Sequence, residues 1–313
     1  MLKIYRITIA TMILLLLLRF LFISLYRIPS SSMAKTLLVD DVIWVQKYNI
    51  SLFNLPYYRW LHGNCVQRND VVVFKMPENP RQPNNDIPYL KRCVALSGDT
   101  IQIINRQLWV NHQKIPNPIA LQYDYLVRST QKTPVLGQFI NTESAYPIYD
   151  NLVRLSLTQN DLKTIAQDTS IEIDTIVRPR GVYVQEEAVF PYNATFFPWN
   201  IDNYGSLRVP KKGDTIALSP ANVNLYHTII TVYEHNDIKE QNGEYYLNGA
   251  ATSHYVVQKN YYFMLGDNRH NSFDSRFLGF VPEDHLIGKA QYILWSWKNF
   301  SSASSKRFFI KIQ

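Results

Sequence analysis

Residues 7–26 read ITIATMILLLLLRFLFISLY, and no other stretch limits the fold as strongly. As a helix, twenty residues reach about 30 Å, the thickness of one hydrocarbon core. Arg19 interrupts the run. At mid-bilayer an arginine costs about 2.5–3.5 kcal/mol, less where it can snorkel, and the leucines can offset that. Lys3 and Arg6 precede the span and favour a cytoplasmic N-terminus; Arg27 beyond it weakens the bias without reversing it. The expectation is a tail over 1–6, a transmembrane helix over 7–26, and the rest of the chain outside. A cleaved secretory signal is the competing reading: a basic start, an apolar core over 7–18 and small residues at Ser30 and Ser32. No second run of comparable length follows.

Charge points the same way. The net +7 is concentrated at the ends. Lys3, Arg6, Arg19 and Arg27 face no acid within 1–27, and Lys289, Lys298, Lys306, Arg307 and Lys311 face none within 289–313. The body between is slightly acidic. Basic ends favour anionic lipid as a partner. Neither a basic helix nor a glycine-rich phosphate loop supports nucleic acid. No metal or cofactor is expected, because HExxH, CxxC and ligand-spaced histidine clusters are missing from the sequence. Cys65 and Cys93 fit either a bridge or two partly buried thiols.

After the serines the chain reads mainly as β. "DDVIWVQKY", "RNDVVVFKM" (68–76) and "PYLKRCVALSGDTIQII" (88–104) predict strands, the last a pair around a Ser-Gly-Asp turn, and "NRQLWVNHQKI" (105–115) predicts a hairpin. Thr158 and Asp161 stand at capping-box spacing before "LKTIAQ", the one helix candidate in 116–205. "VPKKGDTIALSP", "IKEQNGEYYLNG" and "QYILWSW" read as strands, and "YYFMLGDNRHNSFDSRFLGFVP" as a strand entering a polar loop. "RNDVVVF" echoes "KKGDTIAL", and "NRQLWVN" echoes "NGEYYLNG", from either a duplication or common β patterning. The expected fold is therefore a single N-terminal transmembrane helix followed by an all-β body.

Four separated stretches, "PSSSMAKTL" (29–37), "RNDVVVF" (68–74), "YLKRCVALSGD" (89–99) and "GDNRHNSFDSRFLGFVP" (266–282), together resemble the successive motifs of bacterial type I signal peptidases. The resemblance covers roughly 7–115 and 255–296. It implies a signal-peptidase-like catalytic domain in two parts, 27–115 and 255–296, a variable β-rich insertion over 116–254, and a basic tail over 297–313. It also implies a membrane-bound, monomeric serine endopeptidase that removes signal peptides from exported preproteins, with its catalytic domain on the periplasmic side of the inner membrane. By the same resemblance Ser32, just before Met33, is the nucleophile and Lys91 its general base. Ser30 is the oxyanion-hole hydroxyl, acting with the Ser32 amide, and Ser272 orients the lysine. Asp267 with Arg92, and Asp274 with Arg276, are supporting ion pairs; Ile28, Pro29, Met33, Leu37 and Leu90 are the apolar lining for small side chains of the substrate. Three positions depart from the family pattern. Ser31 stands where glycine is frequent, so its side chain is expected to point away. Ala34-Lys35 replaces a pair ending in proline, and His270 replaces a frequent aspartate.

The chemistry agrees with those assignments. A serine hydroxyl attacks only when a base takes its proton. A free lysine is almost wholly protonated at neutral pH, and bringing its pKa near 7 means about 4 kcal/mol of preference for the neutral amine, which apolar burial can supply. "YLKRCVAL" offers that setting, with Lys91 and Cys93 on one strand face and Arg92 on the other. A second enzyme reading pairs Ser32 with Lys35 as the SxxK of penicillin-binding proteins. It lacks the companion motifs, and it needs a helix where residues after Ser32 read as strand. A catalytically inactive membrane-anchored scaffold is the non-enzymatic alternative. Asp40, Asp41 and the basic tail read as solvated surface.

Overall fold

The computed structural model describes residues 2–47, 66–75, 88–129, 145–149, 151–181, 188–296 and 307–313, with backbone alone for 2–3 and 14–21. Helix α1 (Leu2–Phe22) opens the chain. It stops four residues short of the end expected at Tyr26, because β1 (Ile23–Arg27) pairs antiparallel with β2 (Asp41–Lys47) from its first residue, Ile23 opposite Gln46. The backbone polar groups of 23–26 are thus committed to a sheet. Residues 4–13 of α1 are exposed, among them Ile4, Tyr5, Ile7, Met12 and Ile13. Among the described residues, no helix is long and apolar enough to cross a membrane.

The body is mainly β. After β2 come β3 (Val71–Lys75), β4 (Pro88–Ala95), β5 (Thr100–Ile104), β6 (Gln107–Val110), β7 (Gln113–Lys114) and β8 (Tyr123–Ser129). Then follow β9 (Ala145–Tyr149), β10 (Leu152–Leu157), helix α2 (Gln159–Ile165), β11 (Ile171–Thr175), β12 (Tyr204–Arg208) and β13 (Thr215–Ala217). Helix α3 (Pro220–Thr228) leads to β14 (Ile238–Gln241), β15 (Glu244–Leu247), β16 (Ala250–Ala251), β17 (His254–Val256) and β18 (Tyr261–Leu265). The chain closes with the short helix α4 (Ser275–Leu278), β19 (Val281–Pro282), β20 (Leu286–Ser296) and β21 (Ile310–Lys311).

The principal sheet runs β1-β2-β20-β3-β4-β18-β19, with β21 added beside β20. It therefore joins strands from the two ends of the sequence. Strands β5, β6 and β7 form a separate sheet with β12, in the order β12-β5-β6-β7. A further sheet, β11-β8-β10-β9, lies within residues 116–254.

The helix α2 forms as its capping box predicts: Thr158 Oγ1 accepts from the Asp161 amide (3.1 Å), and the Asp161 carboxylate accepts from the Thr158 amide (2.9 Å). Helix α3 escaped the sequence reading, although Ser219 caps it and Pro220 stands at its first position, where a missing N–H costs nothing. The two echoed hairpins share a local form: Asn105-Arg106 and Asn242-Gly243 turn with positive φ, as do Asn111-His112 and Asn248-Gly249 six residues on. Cys93 is buried, and its thiol donates to the Ala95 carbonyl (3.6 Å); Cys65 lies outside the described residues.

Candidate active site

The loop joining β1 to β2 carries the three serines. It is closed at its base by the Ile28 amide donating to Asp41 O and the Asp40 amide donating to Ile28 O, both at 2.9 Å. Ser31–Met33 form one 3₁₀ turn, and the Leu37 amide donates to Met33 O (2.8 Å). This corrects the strand expected after Ser32. Ala34 is extended and Lys35 left-handed, so no helix brings Lys35 back to Ser32. Lys35 pairs instead with Asp161 of α2, Nζ to Oδ1 3.3 Å. One expectation of solvated surface also fails: Asp41 is fully buried against Arg307 of the tail, whereas Asp40 stays at the surface, paired with the exposed Arg27 at 2.7 Å.

Strand β4 delivers Lys91 to that loop. Its Nζ lies 2.6 Å from Ser32 Oγ, and Ser30 Oγ lies 3.4 Å from the same oxygen. Lys91 is 4% exposed. Burial lowers its pKa to about 8, opposed by the charges of Asp274 and Asp267 and aided by that of Arg276. The amine stands 5.7 Å from the Tyr89 ring centroid, and Val72 of β3 is its cross-strand partner. A nucleophile candidate, a desolvated amine and a second hydroxyl thus meet, although Ser32 and Lys91 are 59 residues apart.

The polar loop after β18 frames the group. Asp267 takes a bidentate pair from Arg92, Nε to Oδ1 2.8 Å and an Nη2 bond to Oδ2 of 2.6 Å; both residues are buried. Asp274 takes a second pair from Arg276, both bonds 2.9 Å, and its carboxylate also accepts from the Gly266 amide. Both expected ion pairs are therefore present. The Asn268 amide donates to Ser32 O (3.0 Å) and its side chain to Ser31 O (3.3 Å). Asn271 donates to Ser31 Oγ (3.0 Å), which gives the serine at the glycine position a partner of its own. A Cβ at Gly266 would come within 2.1 Å of Ser272 Oγ and 2.7 Å of Ser32 O, so the loop passes the serines too closely for any side chain.

Ser272 is brought to the site but is not bonded to the lysine: its hydroxyl is buried without a partner among the described residues. Of the five lining residues, Ile28, Met33 and Leu37 are buried in a core cluster beneath the loop, with Val71, Val73 and Ile293. They support the loop from inside. Pro29 is exposed and Leu90 half-buried, so those two alone lie at the surface. His270 is tied to the insertion. The Asp124 amide donates to its Nδ1 (3.1 Å), so Nε2 carries the proton facing Asp202 Oδ1 (2.8 Å). Burial would raise the Asp202 carboxyl, but the His270 bond and the Arg178 amide hold it down at about 2. Sequence reasoning missed Thr36, whose hydroxyl donates to Asp267 Oδ2 (2.5 Å), along with Asn268, Asn271 and Arg307. The quoted loop contains the two asparagines; nothing local marks Thr36 or Arg307. Among the described residues no cluster fit to hold a metal is present.

Comparison with known proteins adds an independent line. The family model described as signal peptidase, peptidase S26, matches residues 1–189 and 206–295, including most of the segment 116–254 in which no motif was legible. Signal peptidase I of Buchnera aphidicola subsp. Schizaphis graminum (strain Sg) is 31% identical over 283 residues, 90% of this chain and 70% of that protein. Signal peptidase I of Aquifex aeolicus (strain VF5) is 28% identical over 273 residues, 87% of this chain and 76% of that protein. The Rickettsia prowazekii (strain Madrid E) signal peptidase I is 24% identical over 294 residues, with 90% and 76% covered.

Proposed function

The chain belongs to the peptidase S26 family of signal peptidases, serine endopeptidases that cleave signal peptides from preproteins, and on that premise we propose that Ser32 is its nucleophile and Lys91 its general base. The observation that carries this reading is the 2.6 Å approach of a buried amine, with pKa about 8, to one hydroxyl of a serine-rich loop. Neutral Lys91 takes the Ser32 proton as Oγ attacks the scissile carbonyl. The oxyanion is held by Ser30 Oγ–H with the Ser32 amide. Lys91 then gives its proton to the departing amine, leaving an acyl-Ser32. A water molecule deprotonated by Lys91 attacks that ester, and collapse with the proton returned to Ser32 Oγ frees the signal peptide. Ser272 is assigned to orient the lysine; its buried hydroxyl, without a partner among the described residues, supports that role. Pro29 and Leu90 supply the accessible apolar contacts.

We further propose that α1 anchors the enzyme, with its N-terminus cytoplasmic and the catalytic body on the periplasmic side. Support comes from Lys3 and Arg6 ahead of the leucine run, and from the exposed apolar side chains along the first half of the helix. A row across the adjoining sheet also supports lipid contact: Leu25 pairs with Trp44, Trp44 with Tyr292, and Tyr292 stacks on Phe309 at 4.9 Å.

Ser32→Ala should abolish preprotein cleavage while the protein stays folded; retention of more than about a tenth of the wild-type rate, a barrier change of about 1.4 kcal/mol, would contradict a lost nucleophile. Lys35→Ala should remain active, since among the described residues Lys35 pairs with Asp161 at the surface and not with Ser32. Loss of activity in that variant would reopen the SxxK alternative.

A further inference from the structure

The loop that carries Ser32 is gripped by a residue from the other end of the chain. Arg307 Nη2 reaches Asp41 Oδ2 at 2.8 Å and Thr36 O at 3.0 Å, and its Nε lies 3.2 Å from the same carboxylate oxygen. Asp41 is fully buried, and its Oδ2 also accepts from the Leu38 amide (2.9 Å). One guanidinium therefore holds the closing point of the loop and its middle together. From Thr36 the connection continues through its hydroxyl to Asp267, and from Asp267 to Arg92, the neighbour of Lys91. The tail is held in place by the sheet. Ile310 pairs with Ile293 and Lys311 with Tyr292, the Phe309 amide donates to Leu294 O (3.2 Å), and the Ile312 amide to Gln291 O (2.9 Å).

We infer that Arg307 is a positioning residue for the reaction: it clasps the 28–41 loop so that Ser32 stays within reach of Lys91. The inference rests on the assignment of Ser32 as nucleophile. A planar guanidinium can bond a carboxylate and a carbonyl at once, which an ammonium cannot do with the same geometry. Without it, a buried carboxylate is left facing one amide, and the loop loses the tie between its base and its middle.

The test uses the full-length enzyme in detergent with a preprotein substrate. Reactive sites are counted by mass spectrometry after exhaustive labelling with a serine-acylating reagent. Arg307→Ala should lower kcat per labelled site at least fivefold with KM within twofold, and Arg307→Lys should fall between alanine and wild type. A smaller loss of kcat per site, a change in KM alone, or fewer labelled sites at unchanged kcat would overturn the inference. Ser32→Ala separates the two levels. If it is inactive and unlabelled while Arg307→Ala runs at full rate, the inference alone fails. If it is active and labelled, the nucleophile assignment fails and takes the inference with it.

Discussion

Lys91 holds its amine in an environment that disfavours charge, and this has consequences for rate and for stability. Only the neutral amine can accept the Ser32 proton, so activity should rise with pH through about 8. Lys91→Arg should be inactive, because a guanidinium keeps its proton at working pH; a pH–rate profile of the wild type beside an assay of the variant checks both. The sign for folding follows from the same shift. The folded pKa is depressed below the unfolded value of about 10.5, so between pH 8 and 10.5 the unfolded chain binds more protons. Stability contributed by Lys91 should therefore rise over that window, by roughly 3 kcal/mol at most, if other groups are held constant. Ser32 and Lys91 were legible because each sits in a compact motif. Asp41 was not: in sequence it is one of two acids after a leucine pair, and its partner lies 266 residues away, among five basic residues with no acid between them to tell one from another. Ser272 was legible as a position but not as a bond, since a hydrogen bond depends on a rotamer that no sequence motif records.

At the level of elements, local rules read well wherever two short-range signals agreed. The capping box at Thr158 and Asp161 marked α2. Thr158→Ala should cost about 1 kcal/mol locally, seen as roughly fivefold faster hydrogen exchange of the Leu162 and Ala166 amides. The hairpins of β5–β7 and β14–β16 were marked by their asparagine turns. Helix α3 runs on into a π-helical turn, Ile229–Tyr233, whose aromatic and β-branched residues favour strand by propensity; burial of Leu225 and Tyr226 in the helix and of Ile229 and Ile230 in the turn decides for helix. The end of α1 was misplaced for a related reason. Ile23 and Leu25 continue the apolar run of the leucines before them, and it is pairing with β2 that sets 23–26 apart as a strand.

For the whole molecule, the proposed orientation predicts that protease added to spheroplasts digests the catalytic body while the N-terminus stays protected. Full protection of the body would exclude that orientation. The principal sheet gathers strands from both ends of the chain, and its division into two parts was legible from the motifs. The pairing of β5–β7 with β12 was not, because register across about 100 residues leaves no local trace. The segment 116–254 is joined to the polar loop after β18: the Gln122 amide donates to Asp267 O (2.8 Å), and His270 reaches Asp202.

Helix α1 passes into β1 with no intervening residue, and Ser32 follows ten residues after the helix ends. With α1 as the anchor, that junction works as a ruler. Ser32, as the proposed nucleophile, then has a fixed height above the bilayer, and a preprotein would be cut at a set distance from its own apolar segment. Lengthening the junction by two glycines should move the preferred cleavage position along a test preprotein, or slow cutting at the original one, which sequencing of the mature N-termini would reveal.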